Sequence, residues 1–189
     1  MKNRLIIVEG PQGTGKTNLT NFLRENIPSS NLYRLSGQKD KTLNGKKLSE
    51  TMYKALLDYL NVMQNIPMDI IFDRTFFTEE IYCRLGYKEY SFTDVYTSLL
   101  EKLNSLNYEI YFIVLYLEDP NIFNKRLARE YHHNYQSFSL DSSVAQQNEY
   151  LKMCDEIENN PENKIKVVRL SMDDFDTSYQ KIKEMVVIK

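Results

Sequence analysis

Val8-Glu9-Gly10-Pro11-Gln12-Gly13-Thr14-Gly15-Lys16-Thr17 carries the strongest signal in this chain. From Gly10 to Thr17 it spells G-x-x-x-x-G-K-[ST], the phosphate-binding P-loop signature. Leu5-Ile6-Ile7-Val8 before it has the character of a short strand, and Leu19, Phe22, Leu23 and Ile27 after it recur at helical spacing. The glycines therefore lie between a strand and a helix, the context the motif requires. Without a Cβ, these glycines let the backbone wrap closely around an anion. Successive N–H groups then converge at the positive end of the following helix. Gly10, Gly13, Thr14, Gly15, Lys16 and Thr17 form the expected ATP-binding set. In it Lys16 adds a full charge near the β- and γ-phosphates, and the Thr17 hydroxyl suits Mg²⁺.

Outward from this loop, strand and helix signals alternate. Leu32–Leu35 reads as a second strand, followed by a loop of turn formers and charge, Ser36–Lys41. Leu48, Met52, Leu56, Leu60 and Met63 mark a helix face. Asp69–Phe72 is a third strand running into Asp73-Arg74, with a short helix over Thr78–Leu85 that ends at Gly86. Val95, Leu99, Leu103 and Leu106 stripe a further helix, and Ile110–Leu117 is the longest apolar run, a central strand. Asp119-Pro120 opens a helix that carries Arg126 and Arg129 and frays in the polar segment Glu130–Ser139. A helix over Asp141–Glu158 has Val144, Gln147, Leu151, Cys154 and Ile157 on one face; a fifth strand over Ile165–Leu170 and a last helix with Phe175, Tyr179, Ile182 and Val186 complete the chain. The pattern predicts an α/β fold, a P-loop NTPase three-layer sandwich with a five-stranded parallel sheet, helices on both faces and a helical lid over about 119–140. Ligands in such folds sit outside the carboxyl ends of the strands. The P-loop, Ser36–Lys41, Asp73-Arg74 and Glu118-Asp119 all fall at such ends.

The 189 residues suit a single domain, and 42% hydrophobic with 26% charged residues is an ordinary soluble balance. A net charge of −2, with no basic stripe, counts against a long nucleic-acid partner. Two cysteines without a CxxC pair fit a reducing, cytoplasmic setting. The sequence has no signal peptide and no stretch approaching a membrane span.

Around the P-loop, several side chains have the chemistry of phosphoryl transfer. Asp73 ends an apolar strand; it either binds Mg²⁺, directly or through water, or positions an acceptor, or caps the next helix. Arg74 is a planar fork suited to a phosphate, with a surface salt bridge as the alternative. Arg126 and Arg129, three apart, share a helix face as lid arginines or as a solvated basic face. Adjacent His132 and His133 point in different directions and read as solvated. Arg34, Lys39 and Lys41 either hold an acceptor phosphate or are loop charges. Phe76, Phe77 and Tyr82 are candidates to contact a base, with Tyr53 and Tyr59 behind them.

The residues around Gly10–Thr17 resemble the P-loop of thymidylate kinases. Asp73-Arg74-Thr75-Phe76-Phe77-Thr78-Glu79-Glu80-Ile81-Tyr82-Cys83 resembles that family's D-R-Y-x-x-S-x-x-A-Y-Q stretch at Asp73, Arg74, Thr78 and Tyr82. Leu117–Arg129 looks like its strand, D-P turn and lid helix. The resemblance implies transfer of the ATP γ-phosphate to a nucleoside monophosphate, with a homodimer as the assembly. It gives catalytic roles to Lys16, Asp73 and either Arg126 or Arg129, metal binding to Thr17 and Asp73, and the acceptor phosphate to Arg74. It places Gln12, Arg34, Phe76, Thr78 and Tyr82 around the acceptor.

The chain also departs from that pattern. Gln12 stands where the family has an acid near the sugar, Cys83 where it has Gln beside the base, and Arg34-Leu35-Ser36-Gly37 where it has R-E-P-G. The acceptor is expected to be a pyrimidine nucleotide such as dTMP or a modified analogue, and these departures count against thymidylate itself; variants of this kind are similar to kinases carried by bacterial viruses. A deoxynucleoside kinase is the nearest alternative, although Leu35-Ser36 occupies the place of its glutamate base. A polynucleotide 5′-kinase and a non-catalytic P-loop protein are the others.

Overall fold

The computed structural model describes residues 2–130 and 139–187. The predicted lid segment beyond residue 130, with His132 and His133, lies outside the described residues. In chain order the elements are β1 (Arg4–Glu9), α1 (Lys16–Asn26), β2 (Ser30–Arg34), α2 (Leu43–Met63), β3 (Asp69–Asp73), α3 (Phe76–Arg84), α4 (Thr93–Ser105), β4 (Glu109–Tyr116), α5 (Asn121–Glu130), α6 (Leu140–Glu158), β5 (Lys166–Ser171) and α7 (Phe175–Ile182). A π-helical turn, Lys183–Val187, follows α7.

The five strands form one sheet in the order β2-β3-β1-β4-β5, parallel throughout. β1 sits at its centre, which explains its unbroken apolar run: both of its faces are covered. Alternate residues part to the two sides. Leu5 and Ile7 join a core beneath α2, α3, α4 and α6 with Phe72, Phe77 and Phe112. Ile6 and Val8 join another with Leu19, Leu23, Ile113 and Leu170, beneath α1, α5 and α7.

The helix leaving β1 therefore packs on one face, and those following β3 pack on the other. Between the carboxyl ends of β1 and β3 the sheet has its topological switch point, where a crevice opens for a ligand. The register sets what lines it. Val8 pairs with Asp73, and the Arg74 N–H donates to the Val8 carbonyl at 3.1 Å. Glu9 and Arg74 thus leave the sheet side by side.

Two helix faces match the sequence expectation in part: Leu60 on α2 and Gln147, Cys154 and Ile157 on α6 are buried as expected, and other buried residues differ. On α2 the buried stripe is Gly45, Ser49, Tyr53, Leu57 and Leu60, while Leu48 is 46% exposed. The bulk of Tyr53, packed edge-on to Phe76 and Phe92, fixes that orientation. On α6 the inward residues include Ser143, Gln146, Gln147, Tyr150 and Met153, with Val144 and Leu151 at the margin. Of these, Gln147 pairs with both backbone groups of Leu117, and Tyr150 donates to Glu9. α3 begins at Phe76, two residues earlier than expected. Among the described residues no helix is long and apolar enough to cross a membrane.

Candidate active site

The P-loop is built by backbone shape first. Gly10, Gly13 and Gly15 have φ of 137°, 83° and 93°. Gly10 also lies hard against β4: a Cβ there would come within 2.6 Å of the Leu115 carbonyl oxygen. Only glycine meets both demands. The loop then closes on itself, as Thr14 Oγ1 and Lys16 Nζ both donate to the Pro11 carbonyl, at 2.8 and 2.7 Å. Gln12 is half-buried beside them.

At the start of α1, Thr17 Oγ1 donates to Asp73 Oδ2 at 3.1 Å, and Arg34 Nε lies 3.7 Å from that same oxygen. Asp73 does not cap α3; Thr75 occupies that position. The carboxylate is directed across the crevice toward the P-loop. One carboxylate and one hydroxyl, next to a phosphate cradle, suit Mg²⁺, which keeps much of its water and takes few protein ligands.

Arg74 has φ of 71°, unusual for a long side chain. Its surroundings hold it there. Glu9 is fully buried and accepts from the Thr75 N–H (2.6 Å), Thr75 Oγ1 (3.1 Å), Thr78 Oγ1 (2.6 Å) and the Tyr150 hydroxyl (3.1 Å). The carboxylate thereby pins both residues that follow the turn. Burial raises the Glu9 pKa above 4.5, against the pull of these donors and of Arg74. Burial draws the Arg74 guanidinium the other way, but Tyr82, Tyr150, Glu9 and Asp73 outweigh it and leave its pKa above the ordinary arginine value. Tyr82 hydrogen-bonds with Arg74. The result is a permanent cation, half-buried in a polar cage, one residue from Asp73.

The predicted lid arginine Arg126 sits on the loop itself. Its guanidinium donates to the carbonyls of Gly13 (3.2 Å), Thr14 (3.4 Å) and Met172 (2.6 Å) and stacks on the Phe175 ring with its carbon 4.5 Å from the centroid. In this state it clamps the P-loop to α5 and to the end of β5. The Arg129 side chain lies outside what is described.

The expectation that Phe76 contacts a base is corrected: it is 1% exposed and stacks on Phe77, also buried, within the core. Tyr53 is core as well, its hydroxyl donating to the Thr75 carbonyl, and Tyr59 pairs with Tyr33 through their hydroxyls. Thr78 is buried and engaged with Glu9 and Tyr150. Tyr82 alone of these aromatics reaches both Arg74 and open space. With Tyr87, Lys39, Lys41, Ser142 and Gln146 it lines a cavity of about 570 Å³. Lys88 shapes its rim, pairing with Glu79 at 3.2 Å and donating to the carbonyls of Gln38 (2.5 Å) and Asp40 (3.4 Å).

Glu9, Tyr150 and Gln146 are the site residues that sequence reasoning missed. The spacing of Ser143, Gln146 and Tyr150 held a signal, since they share a helix face next to the apolar stripe. Ser143 Oγ and Gln146 Nε2 are buried with no hydrogen-bond partner among the described residues, a state that costs about 1–3 kcal/mol per group.

No family model and no curated protein matches this sequence. Solved structures match in shape. A thymidylate kinase from Candida albicans has a TM-score of 0.67 at 16% identity, covering 98% of this chain and 91% of that one. A deoxyadenosine kinase from M. mycoides with dCTP bound gives 0.59 at 15%, over 96% and 98%. The same enzyme with dCMP and dCDP gives 0.54 at 16%, over 96% and 97%. The chain has the fold of the P-loop nucleotide kinases.

Proposed function

We propose that this protein is a phosphotransferase that moves the γ-phosphate of ATP to a pyrimidine nucleoside monophosphate, dTMP or an analogue, giving the diphosphate. The observation that carries the reading is the caged cation Arg74, beside Asp73 and across from the P-loop. A neutral nucleoside hydroxyl needs no such group. A monophosphate brings a dianion next to the ATP phosphates, and a fixed guanidinium can offset the repulsion with two parallel hydrogen bonds.

In this reading the glycine backbone, Thr14 and Lys16 hold the ATP phosphates, and Lys16 follows the charge that develops on the transferring group. Thr17 and Asp73 hold Mg²⁺, which when bound shields the charge between nucleophile and phosphates. Arg74 orients the acceptor phosphate, with Arg34 beside Asp73 in support. Gln12 and Tyr82 border the acceptor, Thr78 acts through Glu9, and an arginine of α5 supplies transition-state charge once the lid closes. The assignment extends to a cytoplasmic homodimer. The unpaired thiols of Cys83 and Cys154 support the compartment, and the exposed Leu43, Leu48 and Val62 on α2 support the dimer.

Steady-state kinetics of Arg74 variants test the reading. Arg74→Ala is expected to lower kcat/KM for the monophosphate by roughly a hundredfold or more, on the scale of losing one strong electrostatic contact. Arg74→Lys should restore part of it, because charge returns without the fork. The KM for ATP should barely change. Unaltered monophosphate use by Arg74→Ala would end the assignment.

A further inference from the structure

The face that α6 turns toward the site carries more polar atoms than the fold uses. Ser143, Gln146 and Tyr150 lie along it at intervals of three and four. Tyr150 is committed to Glu9 and Thr78. Gln146, only 1% exposed, ends with an amide nitrogen that has no hydrogen-bond partner among the described residues. Yet it is not sealed in packing: it borders the cavity of about 570 Å³ that Tyr82 and Tyr87 also line. Those two rings meet with centroids 5.6 Å apart at 60°, giving the cavity an aromatic wall. Through Tyr82 the cavity is joined to Arg74, and through Arg74 to Asp73 and Thr17.

A primary amide presents a donor beside an acceptor. It therefore pairs in two hydrogen bonds with a flat edge bearing the opposite pair, as bases do. We propose that Gln146 is the specificity residue of the acceptor site, its amide reading the edge of a pyrimidine base held against Tyr82 and Tyr87. This rests on the acceptor being a nucleoside monophosphate, as argued above. No hydrogen bond from the described residues holds the amide nitrogen in place. By rotating half a turn it meets a thymine-type edge or a cytosine-type edge equally well. The wild-type protein thus accepts both pyrimidine classes.

The test compares wild type, Gln146→Leu and Gln146→Glu. Dissociation constants for dTMP and dCMP are measured by calorimetry, alongside kinetics and melting temperature. Wild type should bind the two within about tenfold. Gln146→Leu should weaken both by roughly tenfold to a hundredfold, the loss of one bidentate pair. Its melting temperature should hold or rise, because an unpartnered polar group has been removed. Gln146→Glu, which only accepts when ionised, should shift the ratio toward dCMP by about tenfold, since cytosine offers an amino donor. Unchanged binding in Gln146→Leu, no ratio shift in Gln146→Glu, or binding of neither nucleotide by wild type would overturn the proposal. A lowered melting temperature with equal loss of ATP binding would do so too, marking a purely structural residue. Should wild type phosphorylate nucleosides instead, the monophosphate reading fails by itself, and the same base ratios taken with thymidine and deoxycytidine still decide the role of Gln146.

Discussion

Glu9 concentrates the chemistry of the site into one buried carboxyl. It takes hydrogen bonds from two threonines, a backbone N–H and a tyrosine, and it stands beside Arg74. Burial raises its pKa above 4.5. A raised carboxyl favours the protonated folded state, so its contribution to stability is full below about pH 4.5 and is lost as pH rises through the folded value. Glutamine cannot titrate. The stability advantage of wild type over Glu9→Gln should therefore shrink as pH rises above about 4.5, as read from melting temperatures over a pH series. An advantage that grew with pH would mean that the donors and the nearby charge of Arg74 dominate over desolvation. Nothing in the sequence marked this residue beyond its ending an apolar strand. Its role depends on Tyr150, 141 positions away. Gly10, Lys16, Thr17 and Asp73 were legible because a local motif and one strand end suffice to place them. Phe76 was misread for a related reason: a phenylalanine beside Asp73-Arg74 faces the base or the core according to helix phase, and α3 starts early enough to turn it inward.

At the scale of elements, helix phase separates what sequence reveals from what it hides. The stripe Leu48, Met52, Leu56, Leu60 and Met63 identifies a helix correctly, and Leu60 is buried, yet the fully buried line runs through Ser49, Tyr53 and Leu57, with Met52, Leu56 and Met63 beside it. Tyr53 lies on that line, its hydroxyl donating to the Thr75 carbonyl. Further on, Gly45 admits the Asp40 carbonyl so closely that a Cβ would lie 2.1 Å from it, seating the loop after β2 on α2. α5 has a comparable task. Arg126 ties that helix to the P-loop through the Gly13 and Thr14 carbonyls, and to β5 through Met172. Arg126→Ala should raise the KM for ATP by roughly tenfold, the scale of losing a hydrogen bond from a charged donor. It should do so whether or not the residue also acts on the transferring phosphoryl group. If only kcat fell and ATP affinity stayed intact, the clamp would be immaterial and the arginine would act in the transition state alone.

The whole molecule is a parallel sheet that brings sequence-distant loops to one edge. Alternating strands and helices were enough to anticipate five strands, two covered faces and a site at the carboxyl ends. Strand order was not legible, because it depends on pairing between strands that are far apart, and it is this order that opens the crevice between β1 and β3. The fold it produces is shared by kinases named for a nucleotide substrate and for a nucleoside substrate. Architecture alone therefore leaves the acceptor's charge open, and the caged Arg74 is what favours an anion. The most direct measurement is the ratio of initial phosphorylation rates, with ATP and Mg²⁺, for matched pairs of pyrimidine nucleoside and nucleoside 5′-monophosphate. The account predicts that the monophosphate is converted to the diphosphate while the matching nucleoside is left almost untouched. Faster phosphorylation of the nucleoside would contradict it.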